Sequence, residues 1–289
     1  MNTANFEAFV KVIETGSVSI AADKLCLTQP AVSKRIQQVE EHFGMTLFEP
    51  MGRGVRATQA AMQLYPKLKA WLISLDDMQK EISLLQDKIA GKLKIGTSHH
   101  IGLHYLPEHL KSYTQKYEEV SLEVSFMDSE QAHEQILSGE IDLAFLTLPP
   151  ELDGRLKYQA LWHDPLCFVA APFHPLSQLK HIQLKDLMPF QAILPASHTF
   201  TSQITLSAFE KEGLKPKTDM RNNSLESIRM LVSIGLGWSL LPLTLCHDDL
   251  VVLDVESVQL KRQLGLVYHP ERCMSKACQA LIDQMQDVK

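Results

Sequence analysis

Gln29, Ser33, Lys34 and Gln37 recur at the spacing of one helical face, and they are side chains that read nucleic acid. A Gln amide bonds an adenine edge in the major groove, Ser suits several bases, and Lys34 with Arg35 can neutralise phosphates. On spacing alone an ordinary solvated helix face fits equally well. A second set stands directly after strand-like runs: Thr97, Ser98, His99 and His100; Ser129; Thr147; and His198, Thr199, Phe200, Thr201 and Ser202. Where a strand ends and a helix begins, free amides favour anions. Hydroxyls there can hold a small polar or anionic metabolite, with Phe200 as an apolar contact; helix capping is the competing use of every Ser and Thr among them.

Among twelve histidines, His100, His104 and Glu108 are spaced by four, which would align two imidazoles and a carboxylate on one helix. No acidic or cysteine cluster completes the set, and neither metal nor cofactor is expected. The five cysteines are scattered without a CxxC pair, signalling neither a disulfide framework nor structural zinc. Cys273 and Cys278 leave thiol-based redox sensing as an alternative. No GxSxG elbow accompanies the histidines, so hydrolysis is not indicated and no catalytic residue is proposed.

The elements that must position these groups are readable. Phe6, Phe9, Val10 and Ile13 make one apolar helical face, ended by Gly16. Ser17 or Ser19 can cap a short second helix, whose Ala21 and Ala22 permit close crossing. Thr28 is the N-cap of a third helix, with Pro30 in its first turn and Val32, Ile36, Val39 and Phe43 facing inward. After Thr58, the residues Leu64, Leu68, Trp71, Leu75, Met78, Ile82, Leu85 and Ile89 alternate steps of four and three, the repeat of a coiled coil. A dimer is predicted, whose paired third helices would read an inverted-repeat operator in double-stranded promoter DNA.

Residues 92–146 predict strand, helix, strand, helix, strand: Lys92–Gly96, Leu103–Tyr117, Leu122–Met127, Ser129–Ser138 and Ile141–Leu146. A second α/β lobe starts at Leu166–Ala170, includes the strand Ala192–Leu194 and a helix from Ser224 to about Ile234, and the chain returns through Leu264–Tyr268 to a final helix from Ser275. The expected organisation is α/β overall: a DNA-binding domain over 1–58, a dimerising helix over 59–90 and a two-lobed domain over 91–289. Lobe I takes 91–161 and 265–289, and lobe II takes 162–264.

Composition is ordinary for a soluble protein, and neither a charged leader with an apolar run nor a membrane-length stretch is present, so a cytoplasmic location is expected. Residues 1–90 hold 10 Lys and Arg against 10 Asp and Glu, leaving 18 against 24 in the remainder. A neutral first part is weak electrostatic evidence for DNA binding. The case rests on arrangement.

That arrangement is specific. The run from Ser17 to Ala22, then Leu25, then Thr28-Gln29-Pro30-Ala31-Val32-Ser33, closely resembles the LysR-type helix-turn-helix. The match continues through Phe43-Gly44, Leu47-Phe48-Glu49 and Gly52-Arg53-Gly54-Val55-Arg56 to Thr58, similar to the family's two-stranded wing. By this resemblance Gln29, Pro30 and Ser33 touch bases, Thr28 belongs to the same DNA-binding surface, Arg53 enters the minor groove and Arg56 belongs to the wing; Pro50 and Ala57 depart from the usual pattern. Ser138-Gly139-Glu140-Ile141-Asp142-Leu143-Ala144 and the run Gly235 to Pro242 resemble the LysR effector domain, itself similar to periplasmic binding proteins. The resemblance implies a transcription regulator with promoter DNA, a small-molecule effector, a second copy or a tetramer, and RNA polymerase as partners. A solute-binding protein would leave the helix-turn-helix unexplained.

Overall fold

A computed structural model describes residues 2–52, 54–85, 88–256, 258 and 260–286. The chain divides into two compact units, Met1–Ile82 and Ser83–Lys289. Among the described residues no helix is long and apolar enough to cross a membrane.

In the first unit, α1 (Thr3–Thr15) ends where Gly16 takes a left-handed φ of 62° and returns its amide to the Val12 carbonyl. Helix α2 (Val18–Lys24) is capped by Ser17, and α3 (Gln29–Phe43) by Thr28 with Pro30 in its first turn. Fully buried Phe9, Val12, Ala21, Val32 and Val39 fill the space between them; a larger residue at 21 would force the helices apart. The wing is the antiparallel pair β1 (Phe48–Met51) and β2 (Gly54–Ala57), with Pro50 opposite Val55. It is tied down from two sides: the Val55 amide donates to the Gly16 carbonyl, and the Glu40 carboxylate accepts from the Leu47 and Phe48 amides.

Helix α4 (Gln59–Leu84) uses buried Ala61 and Leu68, with Leu64 and Leu72 beside them, to pack on this same core. Farther along, Trp71, Met78 and Ile82 are 45%, 56% and 64% exposed. The predicted seam is therefore not one helix from Leu64 to Ile89. Leu85 lies in the turn that follows Leu84, and Ile89 packs against the core of the second unit, because the chain there is already heading into a strand.

In the second unit, β3 (Gly91–Thr97) pairs in parallel with β4 (Val120–Phe126) and β5 (Leu143–Thr147). The predicted helix over 103–117 is two: α5 (His99–His104) and α6 (Pro107–Lys116), divided where Pro107 has no amide to donate. Helix α7 (Ser129–Ser138) precedes β5 and packs Ala132 and Ile136 on one sheet face; α6 and α10 (Lys276–Gln286) cover the Leu93, Ile95 and Leu143 cluster.

Two long strands leave this lobe and enter the next: β6 (Lys157–Ala170) and β11 (Leu260–Tyr268), antiparallel to each other. Their register shifts at Leu264/Gly265, leaving Leu161 as an extra residue. Beyond the bulge β6 pairs with β9 (Ser239–Pro242) and β10 (Val251–Val252); β7 (Gln191–Leu194) pairs with β8 (Lys217–Arg221). Helices α8 (Phe200–Lys211) and α9 (Leu225–Ser233) complete the second lobe around Phe168, Phe209 and Trp238.

The Gly-Leu-Gly-Trp run has a packing reason. A Cβ on Gly237 would stand 2.1 Å from the Gln191 carbonyl oxygen, while the next residue's amide bonds that same carbonyl. Gly237→Ala is expected to destabilise the domain by about 1–3 kcal/mol, read as a lower midpoint in chemical denaturation; an unchanged midpoint would mean that β7 gives way freely.

Candidate functional site

Thr28, Gln29, Pro30, Ser33, Lys34 and Gln37 are all exposed on α3, while Val32, Ile36 and Val39 of the same helix are buried. Burial of that stripe fixes which way the polar face points. Gln29 Nε2 donates to Ser19 Oγ at 2.6 Å, and Gln37 Nε2 to Glu41 Oε1 at 2.9 Å, so both amides are held without being buried. Arg35 differs from expectation: it is half-buried and donates through Nη1 to the Ala4 carbonyl at 3.3 Å, fastening α3 to the start of α1. Lys34 is thus the cation of this face. Arg56 pairs with Glu49 across the wing at 2.7 Å, an exposed contact that costs little to exchange. Arg53 lies outside the described residues. Sequence reasoning missed Asn5, a buried amide bonded to Gln38 that joins α1 to α3.

The second unit holds a cavity of about 60 Å³ where β6 and β11 pass between lobes. Ser98, His99, His100, Ser129, Thr147, Thr199 and Thr201 line it. Several of these hydroxyls are already engaged: Ser98 caps α5, Thr199 caps α8, and Ser129 Oγ accepts the Thr147 amide. Four predicted residues are not among the lining. Thr97 is buried with its hydroxyl on the Ser98 carbonyl, Ser202 donates to the Pro195 carbonyl, and His198 is exposed. Phe200 sits one residue before Thr201 in α8, which turns its ring to an outer groove beside Gln203 and Ile204.

What the sequence did not reveal is the charged floor. Arg262 on β11 and Asp164 on β6 are direct cross-strand partners, 4% and 0% exposed, with Nε donating to Oδ2 at 2.7 Å. Arg262 Nη1 donates to Thr201 Oγ1 at 3.0 Å, and the Tyr105 hydroxyl donates to Asp164 Oδ1 at 3.1 Å. His100 Nε2 stands 3.6 Å from Asp164 Oδ2. Burial pushes the Asp164 carboxyl upward, but the facing His100 imidazole and Arg262 guanidinium outweigh it and hold the group below the usual carboxylate range. Burial pushes His100 down against the opposing pull of Asp164, and raises Tyr105 to about 12. Nothing local in the sequence marked this floor: Asp164 and Arg262 stand among other polar residues of their strands, beside His163 and between Lys261 and Gln263.

Two carboxylates of lobe I reach across to lobe II, and His100 Nε2 meets Thr244 Oγ1 at 3.4 Å. Asn223 Nδ2 donates to Asp128 Oδ2 at 2.6 Å, and the Phe200 amide donates to the Glu130 carboxylate, placing that carboxylate at the start of α8. Burial raises the Glu130 carboxyl against the pull of that amide.

Neither sharp alternative gains support. Glu108 is on α6, apart from His100 and His104 on α5, and no group of three metal-ligating side chains occurs among the described residues. Burial pushes the Cys246 thiol up to about 11 and raises Cys167 as well, so little thiolate exists near neutrality. Cys278 is buried, Cys273 half-buried, and Thr199 caps α8.

Comparison with known proteins agrees across the chain. Residues 3–62 match the model of the bacterial regulatory helix-turn-helix protein, lysR family, and residues 86–289 the LysR substrate binding domain. The chain is 30% identical over 97% of its length to the HTH-type transcriptional activator CmpR of Synechocystis sp., covering 93% of that protein. It is 27% identical to the RuBisCO operon transcriptional regulator of Allochromatium vinosum, over 94% of this chain and 91% of that one. The solved structure of HinK from Pseudomonas aeruginosa is 25% identical, with a TM-score of 0.58, over 99% of this chain and 98% of that one.

His100 yields a prediction about pH. Its folded pKa lies below the unfolded value of roughly 6.5, so its contribution to stability is complete above that value and is lost as pH falls through it toward the folded pKa. Acidification from neutrality should lower the thermal midpoint, and His100→Asn should show a shallower fall over the same window; equal slopes would refute the assignment.

Proposed function

Since the chain belongs to the LysR family of transcriptional regulators, a non-enzymatic family, we propose that paired α3 helices read an inverted-repeat promoter operator under the control of a small polar or anionic effector held between the two lobes. The observation that carries the DNA reading is the solvent-facing Gln29, Pro30, Ser33 and Lys34 surface on a helix whose opposite stripe is buried. Gln29 and Ser33 read base edges, and Lys34 meets phosphate. Pairing runs through the exposed Trp71, Met78 and Ile82 of α4, which are apolar surface that a second copy would cover.

The effector acts by population shift. It favours one arrangement of the lobes over another, and the difference in its affinity for the two sets how far the equilibrium moves. Such a regulator works beside the chromosome in the cytoplasm, with RNA polymerase as a further partner.

Fluorescence anisotropy with operator and scrambled duplexes tests the DNA face. Lys34→Ala should weaken both and reduce the salt slope by about 1. Gln29→Ala should cost about 1–3 kcal/mol on the operator alone. Equal losses on both duplexes from Gln29→Ala would remove it from base reading. Met78→Asp combined with Ile82→Asp should lower the mass measured by analytical ultracentrifugation; an unchanged mass would move the dimer contact elsewhere.

A further inference from the structure

Two oppositely charged side chains lining the same cavity each keep a buried polar atom without a partner: Arg262 Nη2 and Glu226 Oε1. Arg262 is 4% exposed, and its other nitrogens are spent on Asp164 and Thr201. A buried guanidinium donor left unmet is costly, and so is a buried carboxylate oxygen, which marks both as positions that a ligand completes. His100 Nδ1 is the third unmet atom at this cavity. Its Nε2 faces Asp164 Oδ2 at 3.6 Å and Thr244 Oγ1 at 3.4 Å, and in the neutral ring with its proton on Nε2 the Nδ1 atom is an acceptor.

The unmet set is thus one cationic donor and two acceptors. A simple anion satisfies the first and brings nothing to the others. Charge points the same way: Asp128, Glu130 and Glu226 all line the cavity, and its one arginine is already matched by Asp164. A dianion such as a phosphate ester meets net repulsion there, and at about 60 Å³ the space suits a ligand of few atoms.

Resting on the effector-cleft reading above, we infer that this cavity takes a small zwitterion of the α-amino-acid class, its carboxylate on Arg262 Nη2 and its ammonium on Glu226 Oε1. His100 Nδ1 accepts a further ammonium or hydroxyl proton. Glu130 and Asp128 add a favourable field for the ammonium, and their bonds to Phe200 and Asn223 keep the lobes closed around it.

The test is calorimetric titration of the full chain with glycine, L-alanine and L-serine, set beside glycolate, L-lactate and L-glycerate, which keep the carboxylate and replace the ammonium by hydroxyl. At least one amino acid should bind on the order of tenfold or more tighter than its hydroxy-acid counterpart. Glu226→Gln, a partly exposed and nearly isosteric change, should erase that preference by weakening the amino acid and not the hydroxy acid. Arg262→Lys is a harsher variant, because Asp164 depends on the same guanidinium, so Glu226 carries the test. Hydroxy acids binding as well as amino acids would overturn the zwitterion while leaving the effector cleft standing. Binding by neither set, with operator binding intact, would overturn the zwitterion assignment and leave the cleft to an effector of another class. An undiminished preference in Glu226→Gln would also overturn the assignment.

Discussion

The ion pair between Arg262 and Asp164 is the interaction on which the second unit depends. It joins the two strands that pass between lobes at the one place where both are fully enclosed. Burying two charges is expensive, and the expense is recovered only when the remaining lone pairs and protons find partners. Here Tyr105 and the His100 imidazole attend the carboxylate, and Thr201 attends the guanidinium. Those partners come from lobe I, both crossing strands and lobe II, so the pair fixes the relation of elements that share no continuous apolar core. The five hydrophobic clusters are otherwise local to one lobe or to the first unit.

Around that fixed floor the upper contacts are of another kind. Asp128 with Asn223, and Glu130 with the Phe200 amide, are single hydrogen bonds near the cavity mouth. Each is one bond to a carboxylate, worth about 1.5–3 kcal/mol and less where water competes. A pair of lobes held rigidly at the crossing strands and weakly at the rim is suited to respond to a ligand, since modest differential affinity is enough to change the balance of rim contacts. Glu130 already places a carboxylate at the α8 amino terminus, where a ligand carboxylate would otherwise be drawn. That leaves Arg262 as the place for an incoming negative charge.

The first unit solves a different problem. It carries no excess of positive charge, so its orientation must come from shape. The wing is anchored to the end of α1 and to Glu40 of α3, and Arg35 and Gln38 bind α3 to α1. These bonds hold the exposed polar face of α3 in one body with α1 and the wing.

By itself the sequence determined the three helices, the alternation of strands and helices, and the outward face of α3, because these follow from local periodicity and caps; the family and the wing followed from its resemblance to LysR-type regulators. Thr28, Gly16 and the Val32, Ile36, Val39 stripe act within a few residues of themselves. The tertiary structure alone decided which hydroxyls were spent on caps, that Phe200 turns away while Thr201 turns in, and that Arg35 serves the fold. It also ended the α4 seam at Leu84 and divided the helix at Pro107. Above all it brought together Asp164 and Arg262, 98 positions apart in the chain. Such a pair has no local signature. Its meaning comes from burial and register across strands, which exist only once the lobes have closed on each other.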